Sequence, residues 1–328
     1  MNNKEKYKVL CETEGTRVPL FLQYWWMETV CVGKQWDVAL VEKEGDGYWS
    51  PERVQGALPY LTGKRIGMRY VLQPQLTQYN GPYYRYEEGL SDCRRLEFEK
   101  KVGAELTEQL ERLRLAYYEQ NFAPSVTNWL PFHWAGYRQT TRYTYRIEQL
   151  DDLDTVLSQM DYDKRQRKIR KAQEHLHADE GMTPEEFARF HATYWKSRGE
   201  KDLLSEEFIV RVIKAACARN QGLLLALKDG DGVIRAARFV VYDDHCAYSL
   251  LSALHPEGHD NGASALLFWE LFQRLQHKTR AFDFEGSMDA GIEYSYRLYG
   301  ARQVPYFNIS KCSNGLFRLL LWIKARKG

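Results

Sequence analysis

The chain has 328 residues, a formal net charge of +2, 44% apolar and 27% charged residues. That length suits two domains of about 150 residues each, and the near-neutral charge excludes a global field that would draw the protein onto nucleic acid, so any such contact must come from a local patch. Aromatic residues reach 14%, with 22 Tyr and 9 Trp, which fill cores and also line pockets for flat or apolar ligands.

The six Cys, at positions 11, 31, 93, 217, 246 and 312, lie far apart. Their spacing predicts reduced, mostly buried thiols and no metal site. The segment Met1 to Lys6 leads into no apolar stretch, and no run approaches the roughly 20 apolar residues of a membrane helix. The expectation is a cytoplasmic protein with no signal peptide and no membrane span.

In chain order, an aromatic-rich helix is expected from Leu20 to about Cys31, then a strand at Trp36 to Glu42. The turn Gly45-Asp46-Gly47 leads to strands through Leu58 to Leu61 and Ile66 to Leu72. Leu96 to Gln120 is the longest helical pattern of this half, and Val126 to Leu130 and Arg138 to Ile147 read as strands.

Further on, Asp151 and Asp163 are expected to cap two helices, the second dense in Lys and Arg. Thr183-Pro184-Glu185-Glu186 is a capping-box start, and Ser205-Glu206-Glu207 begins the next helix. A three-strand meander follows: Leu223 to Lys228, Val233 to Tyr242 and Cys246 to Leu254. After a loop come an apolar helix from Gly262 to about His277, a strand at Ala281 to Glu285, a helix from Asp289 to Tyr299 ended by Gly300, and a last strand at Gln303 to Lys311. The C-terminal Leu316 to Lys327 segment predicts a docked helix, with a surface-lying amphipathic helix as the alternative.

Three stretches carry a family likeness. Lys164-Arg165-Gln166-Arg167-Lys168-Ile169-Arg170-Lys171-Ala172 is similar to a basic "RxxIRKA" helix, Phe282-Asp283-Phe284-Glu285-Gly286-Ser287 to a "DFxGS" strand end, and Tyr299-Gly300-Ala301-Arg302-Gln303 with Pro305-Tyr306 to an "FGA-x-Q-x-PY" segment. Together with the element order, they resemble the GNAT acyltransferase fold, and the paired halves resemble FemABX-like transferases and related bacterial acetyltransferase-domain proteins. The resemblance implies an α+β fold of two GNAT-like halves, residues 1–148 and 149–328, each a mixed, mostly antiparallel sheet flanked by helices, with the reaction centre in the second.

The same resemblance implies a pyrophosphate-binding turn over His259, Asn261, Gly262, Ala263 and Ser264, serving acyl-CoA as co-substrate. A helix N-terminus offers unpaired N–H donors and a positive dipole end to such a group. His259 and Ser264 depart from the family pattern, Asp260 adds a negative charge, and Asp260 or Asn261 as a plain N-cap is the competing reading.

Period-two alternation puts Asp283 and Glu285 on one strand face and Phe282 and Phe284 on the other. Two neighbouring carboxyls raise one pKa, which suits a general base for an amine acceptor; a structural cap or ion pair is the alternative. Lys164, Arg167, Lys168 and Lys171 would grip phosphate, or simply be solvated. Lys311 is expected near the strand of Asp283, as a group that binds substrate or phosphate anions or, alternatively, as a structural ion-pair partner. Arg238, alternating with Ala236 and Val240, is expected half-buried in a structural ion pair, and Tyr248 and Tyr296 are possible proton donors.

The leading expectation is an N-acyltransferase acting on a small-molecule or peptide amine, without a metal. Two alternatives stay open: an aminoacyl-tRNA-dependent transferase of the FemABX kind, which would bind tRNA, and a non-catalytic binding protein on the same fold.

Overall fold

The computed structural model describes residues 1–45, 48–256, 262–286 and 288–319. The chain forms two compact units, Met1–Arg142 with Pro305–Gly328, and Tyr143–Val304. The sequence pattern suggests a single boundary after residue 148; here the chain also returns to the first unit in its last strand.

In the first unit, α1 (Asn3–Glu14) opens with a reciprocal capping box between Asn2 and Glu5. Its buried apolar residues are only Tyr7 and Leu10 among many charges, so little periodicity announces it. The aromatic-rich segment splits into a 3-10 turn at Leu20–Leu22 and α2 (Tyr24–Val30). Strand β1 (Gln35–Glu42) runs antiparallel to β2 (Val54–Arg65), which turns into β3 (Met68–Leu72), while the short β4 (Tyr83–Tyr84) also pairs with β2.

Helix α3 (Asp92–Arg112) stops eight residues short of the expected Gln120, because Tyr117–Asn121 is strand β5. Arg114, in the left-handed region at φ 53°, separates the two. β5 is parallel to β3 and antiparallel to β12 (Arg302–Cys312). The expected strand at Val126 to Leu130 is irregular chain leading into α4 (Leu130–Trp134), with Pro131 in its first turn. Strand β6 (Arg138–Ile147) carries the chain into the second unit. Val102, Leu106 and Leu110 form an i, i+4, i+8 stripe that packs α3 onto Leu58, Val71, Tyr118 and Ile309, each such burial stabilising by about 1.5–3 kcal/mol.

The second unit matches its sequence signals more closely. α5 (Leu153–Gln159) is capped by Asp152, while Asp151, the expected cap, accepts from the His277 N–H. A π-turn at Tyr162–Gln166, capped by Asp161 rather than Asp163, leads into α6 (Arg167–Gln173) and then β7 (Leu176–Asp179). α7 (Pro184–Ser197) has the predicted capping box, and α8 (Glu206–Cys217) the predicted Ser205 cap. The meander is β8 (Gly222–Asp229), β9 (Ile234–Tyr242) and β10 (Cys246–Leu254). Then come α9 (Ala263–Leu275), β11 (Ala281–Asp283) and α10 (Ala290–Arg297), the last capped by Asp289.

The strand order here is β6-β11-β10-β9-β8-β7, antiparallel except between β10 and β11. Phe268, Leu271, Phe272 and Leu275 of α9 pack with Ile169 and Ala172 of α6 and with Leu225, Ala236 and Val240 of the sheet. Leu224, Ala226, Ala237, Phe239 and Val241 alternate with these and are buried too, so β8 and β9 are covered on both faces. The class is the expected one: mixed, mostly antiparallel sheet flanked by helices.

All six Cys are unbridged; Cys31 and Cys246 are buried, but Cys93 and Cys217 are exposed, contrary to the expected buried set. No helix among the described residues is long and apolar enough to cross a membrane.

Candidate functional site

β10 and β11 lie side by side only from Cys246↔Ala281 to Tyr248↔Asp283. β10 runs on to Leu254 while β11 ends, and a register shift between Ser249 and Leu251 leaves Leu250 without a partner on β9. Parallel strands that part at their C-terminal ends leave a crevice of the kind α/β proteins use for ligands.

Asp283 and Glu285 flank this point and differ sharply. Asp283 is fully buried. Its Oδ1 accepts from Thr144 Oγ1 (2.5 Å) and from the Glu285 N–H (2.8 Å), and its Oδ2 pairs with Arg146 Nε at 2.6 Å. The sequence offers Asp283 as an alternative base; the structure engages its carboxylate with three groups.

Glu285 lies beyond the end of β11 rather than within it, at φ 56°, a conformation that costs a non-glycine residue of the order of 1 kcal/mol. The residue is half-buried overall, but Oε1 is enclosed and has no hydrogen-bond partner among the described residues. Desolvation, reinforced by the Asp283 charge, pushes its carboxyl pKa well above the ordinary value. The turn is held close to β6: a Cβ on Gly286 would meet Thr144 Cα at 2.3 Å and Tyr143 O at 2.4 Å, and the Gly286 N–H donates to Thr144 Oγ1. Ser287 lies outside the described residues.

The expected phosphate turn is only partly described: His259, Asp260 and Asn261 fall outside the described residues. Gly262 is the N-cap of α9 at φ 78°. A side chain there would strike the Lys168 carbonyl at 2.7 Å, so glycine permits α9 to start against the basic helix α6. Ala263 is buried, and the half-buried Ser264 hydroxyl is within hydrogen-bonding reach of Tyr299.

The basic cluster is divided. Lys164 contacts the Tyr294 hydroxyl and ring. Arg165 donates to Ser295 and lies 4.4 Å from the Tyr299 ring centre. Arg167 pairs with Asp163 at 3.3 Å. Lys168 and Lys171, one turn apart, are exposed, and so is Arg170, over Tyr162.

Arg238 departs from expectation: it is buried, and no carboxylate among the described residues pairs with it. Nη1 donates to Ser249 Oγ, the guanidinium carbon lies 3.9 Å over the Phe268 ring, and Nε is buried without a partner. Lys311 takes the ion-pair alternative: it lies opposite Tyr118 of β5, and its ammonium binds Glu111 Oε2 and the Ala135 carbonyl, both at 2.8 Å, within the first unit.

His191, which the sequence did not flag, forms a dyad with Asp202 (2.7 Å), but its Nε2 accepts from Trp195 at 3.1 Å. With both ring nitrogens occupied, it serves packing. Thr144 and Arg146, also missed, had one signal: they alternate with Tyr143, Tyr145 and Ile147 along β6. A cavity of about 780 Å³ between Trp36, Tyr60, Lys64 and Arg69 is lined by residues of the first unit and includes none of the predicted site residues. Among the described residues no cluster of His, Cys, Asp and Glu has the makings of a metal site.

Comparison with known proteins agrees with this geometry. Residues 163–296 match the family model described as an acetyltransferase (GNAT) domain. No curated protein is similar enough in sequence to match. Among solved structures, FemX superposes with a TM-score of 0.66 at 11% identity, over 94% of this chain and 96% of that one. The C-terminal domain of a putative lysylphosphatidylglycerol synthetase from Agrobacterium fabrum gives 0.57 at 12% identity, over 99% and 96%. A tandem GNAT protein from the clavulanic acid biosynthesis pathway gives 0.51 at 13%, over 94% and 93%. At these identities the likeness is one of fold. Residues 163–296 are thus similar to an acetyltransferase (GNAT) domain, and the chain as a whole shares its fold with FemX and with a tandem GNAT protein.

Proposed function

We propose that the protein is an N-acyltransferase that moves an acyl group from an activated donor, acyl-CoA in the first instance, to the amine of a small molecule or peptide. The observation that carries this reading is the enclosed Glu285 Oε1, without a hydrogen-bond partner among the described residues, just past the end of the β10–β11 pairing. A carboxylate with a raised pKa is a stronger base than an ordinary one and still largely ionised once the pH exceeds that pKa. Glu285 takes a proton from the attacking amine as the C–N bond forms; the tetrahedral oxyanion then collapses with cleavage of the donor's C–S bond, and the thiolate leaves and is protonated from the Glu285 carboxyl through solvent. Backbone N–H groups at the β10 irregularity around Leu250 would hold the oxyanion.

The donor's phosphates have a candidate cradle at the start of α9, where Gly262 abuts the basic helix, with Lys168 and Lys171 exposed beside it. The same exposed cations favour a second reading, an aminoacyl-tRNA donor, in a fold shared with FemX. We propose a cytoplasmic setting for either.

Thiol release from acetyl-CoA and longer acyl-CoAs, with pools of amines as acceptors, tests the first reading. Amine-dependent thiol release supports it. Transfer only from charged tRNA, blocked by uncharged tRNA, replaces it with the second, and no transfer from either donor leaves a binding protein.

A further inference from the structure

Arg238 is the least explained charge in the second unit. Its neighbours along the same strand face, Ala236 and Val240, belong to the apolar core, so the sheet delivers a cation into the space that Phe268 of α9 fills. A guanidinium has five N–H donors. Here one hydrogen bond goes to Ser249, the ring of Phe268 covers the plane, and Nε is enclosed with nothing to receive it. Desolvation pulls the Arg238 pKa down, and the groups that feel its charge most are Tyr296, Tyr299 and Tyr194, not an acid.

A buried charge without a counter-ion is strongly unfavourable. A structural arginine at such a place would be matched by Asp or Glu, as Arg146 is by Asp283 in the same unit. Among the described residues no carboxylate pairs with Arg238, and the surroundings supply what an anion would use: a buried N–H without a described acceptor, a serine hydroxyl and nearby tyrosine hydroxyls. Tyr296 also feels the charges of Arg238 and Glu285 together, which ties the cation to the candidate base.

We infer that Arg238 anchors a carboxylate carried by a substrate of the acyl-transfer reaction, either on the acyl group or on the amine acceptor. The choice of ligand rests on the acyl-transfer reading above. A planar monoanion suits one guanidinium fork in a dry site, whereas a phosphate dianion would need a second charge and a larger desolvation.

The test titrates acetate and succinate, at constant ionic strength, and then acetyl-CoA and succinyl-CoA, into the parent, R238M and R238K. The free carboxylates raise the parent's Tm and lose this effect in R238M, whose unliganded Tm equals or exceeds the parent's because an unmatched charge has gone. R238K, which keeps the charge and loses the fork, binds at least tenfold more weakly and serves if R238M does not fold. An acyl-side carboxylate makes succinyl-CoA bind at least tenfold tighter than acetyl-CoA in the parent only; an acceptor-side one leaves the thioesters equal. Carboxylate binding absent from the parent, or unchanged in R238M and R238K, overturns the inference. These titrations read binding, not transfer: Arg238-dependent binding without turnover removes the proposed function alone, and turnover with binding indifferent to Arg238 removes this inference alone.

Discussion

The carboxylate of Asp283 accepts a hydrogen bond from the backbone N–H of Glu285 at 2.8 Å, so the ion-paired acid fixes the left-handed turn of the unpaired one. Arg146 and Thr144 hold Asp283 in turn. The relationship divides two adjacent carboxyls into a positioning group and a reactive one.

Replacing Glu285 with Gln preserves shape and removes the base. Turnover is expected to fall about 100-fold or more, with the fold intact by circular dichroism. Parent-like turnover would exclude Glu285 from the chemistry.

The raised pKa also fixes a pH dependence of stability. The folded protein holds the Glu285 proton more tightly than the unfolded chain does. The resulting stabilisation is complete below the unfolded pKa, about 4.3, and is lost as pH rises through the higher folded value. Parent and E285Q melting temperatures should therefore diverge in favour of E285Q from pH 4.5 to 9. A constant difference across that range would show that Glu285 is not desolvated.

Asp283→Asn removes the buried charge that pairs with Arg146 and should destabilise the protein by about 3 kcal/mol in urea unfolding. It also removes the charge that raises the Glu285 pKa. The acid limb of the activity profile should move to lower pH, a shift that loss of stability alone does not produce.

These predictions rest on features that the sequence disclosed unevenly. Caps and turns in the second unit were legible: Thr183 with Glu186, Ser205 and Gly300 act locally, through side chains or backbone that reach only a few residues. The end of α3 was not, because Tyr117 to Asn121 becomes strand through pairing with Asn308 to Cys312, nearly two hundred residues away. The Asp283–Glu285 pair was visible as alternation, but alternation assumes a continuing strand, and the chain leaves strand geometry before Glu285. That Arg238 meets no carboxylate among the described residues depends on what the fold does not bring near it, which no local pattern encodes.

Gly262→Ala introduces a Cβ 2.7 Å from the Lys168 carbonyl at a φ of 78°. A loss of about 1–3 kcal/mol is expected, and if α9 and α6 together frame a phosphate site, acyl-CoA affinity should fall further than stability accounts for. Equal losses in both would make Gly262 a packing residue only.

Charge reversal at exposed Lys168 and Lys171 should leave the unfolding free energy within about 0.5 kcal/mol of the parent. It should weaken the phosphate-bearing donor and flatten the dependence of log affinity on log salt. An unchanged salt slope would return these lysines to simple solvation.

The return of the chain to its first unit bears on the order of events at the ribosome. Residues 305–312 supply the antiparallel partner of β5, yet they are made only after the whole of Tyr143–Val304. During synthesis the earlier unit must wait with one edge of Tyr117 to Asn121, the one away from β3, open to other chains, while the later-made, uninterrupted unit has all its strands first. The nascent protein is therefore expected to mature from its middle outward, and a chain arrested before residue 305 should be captured by chaperones through its older portion.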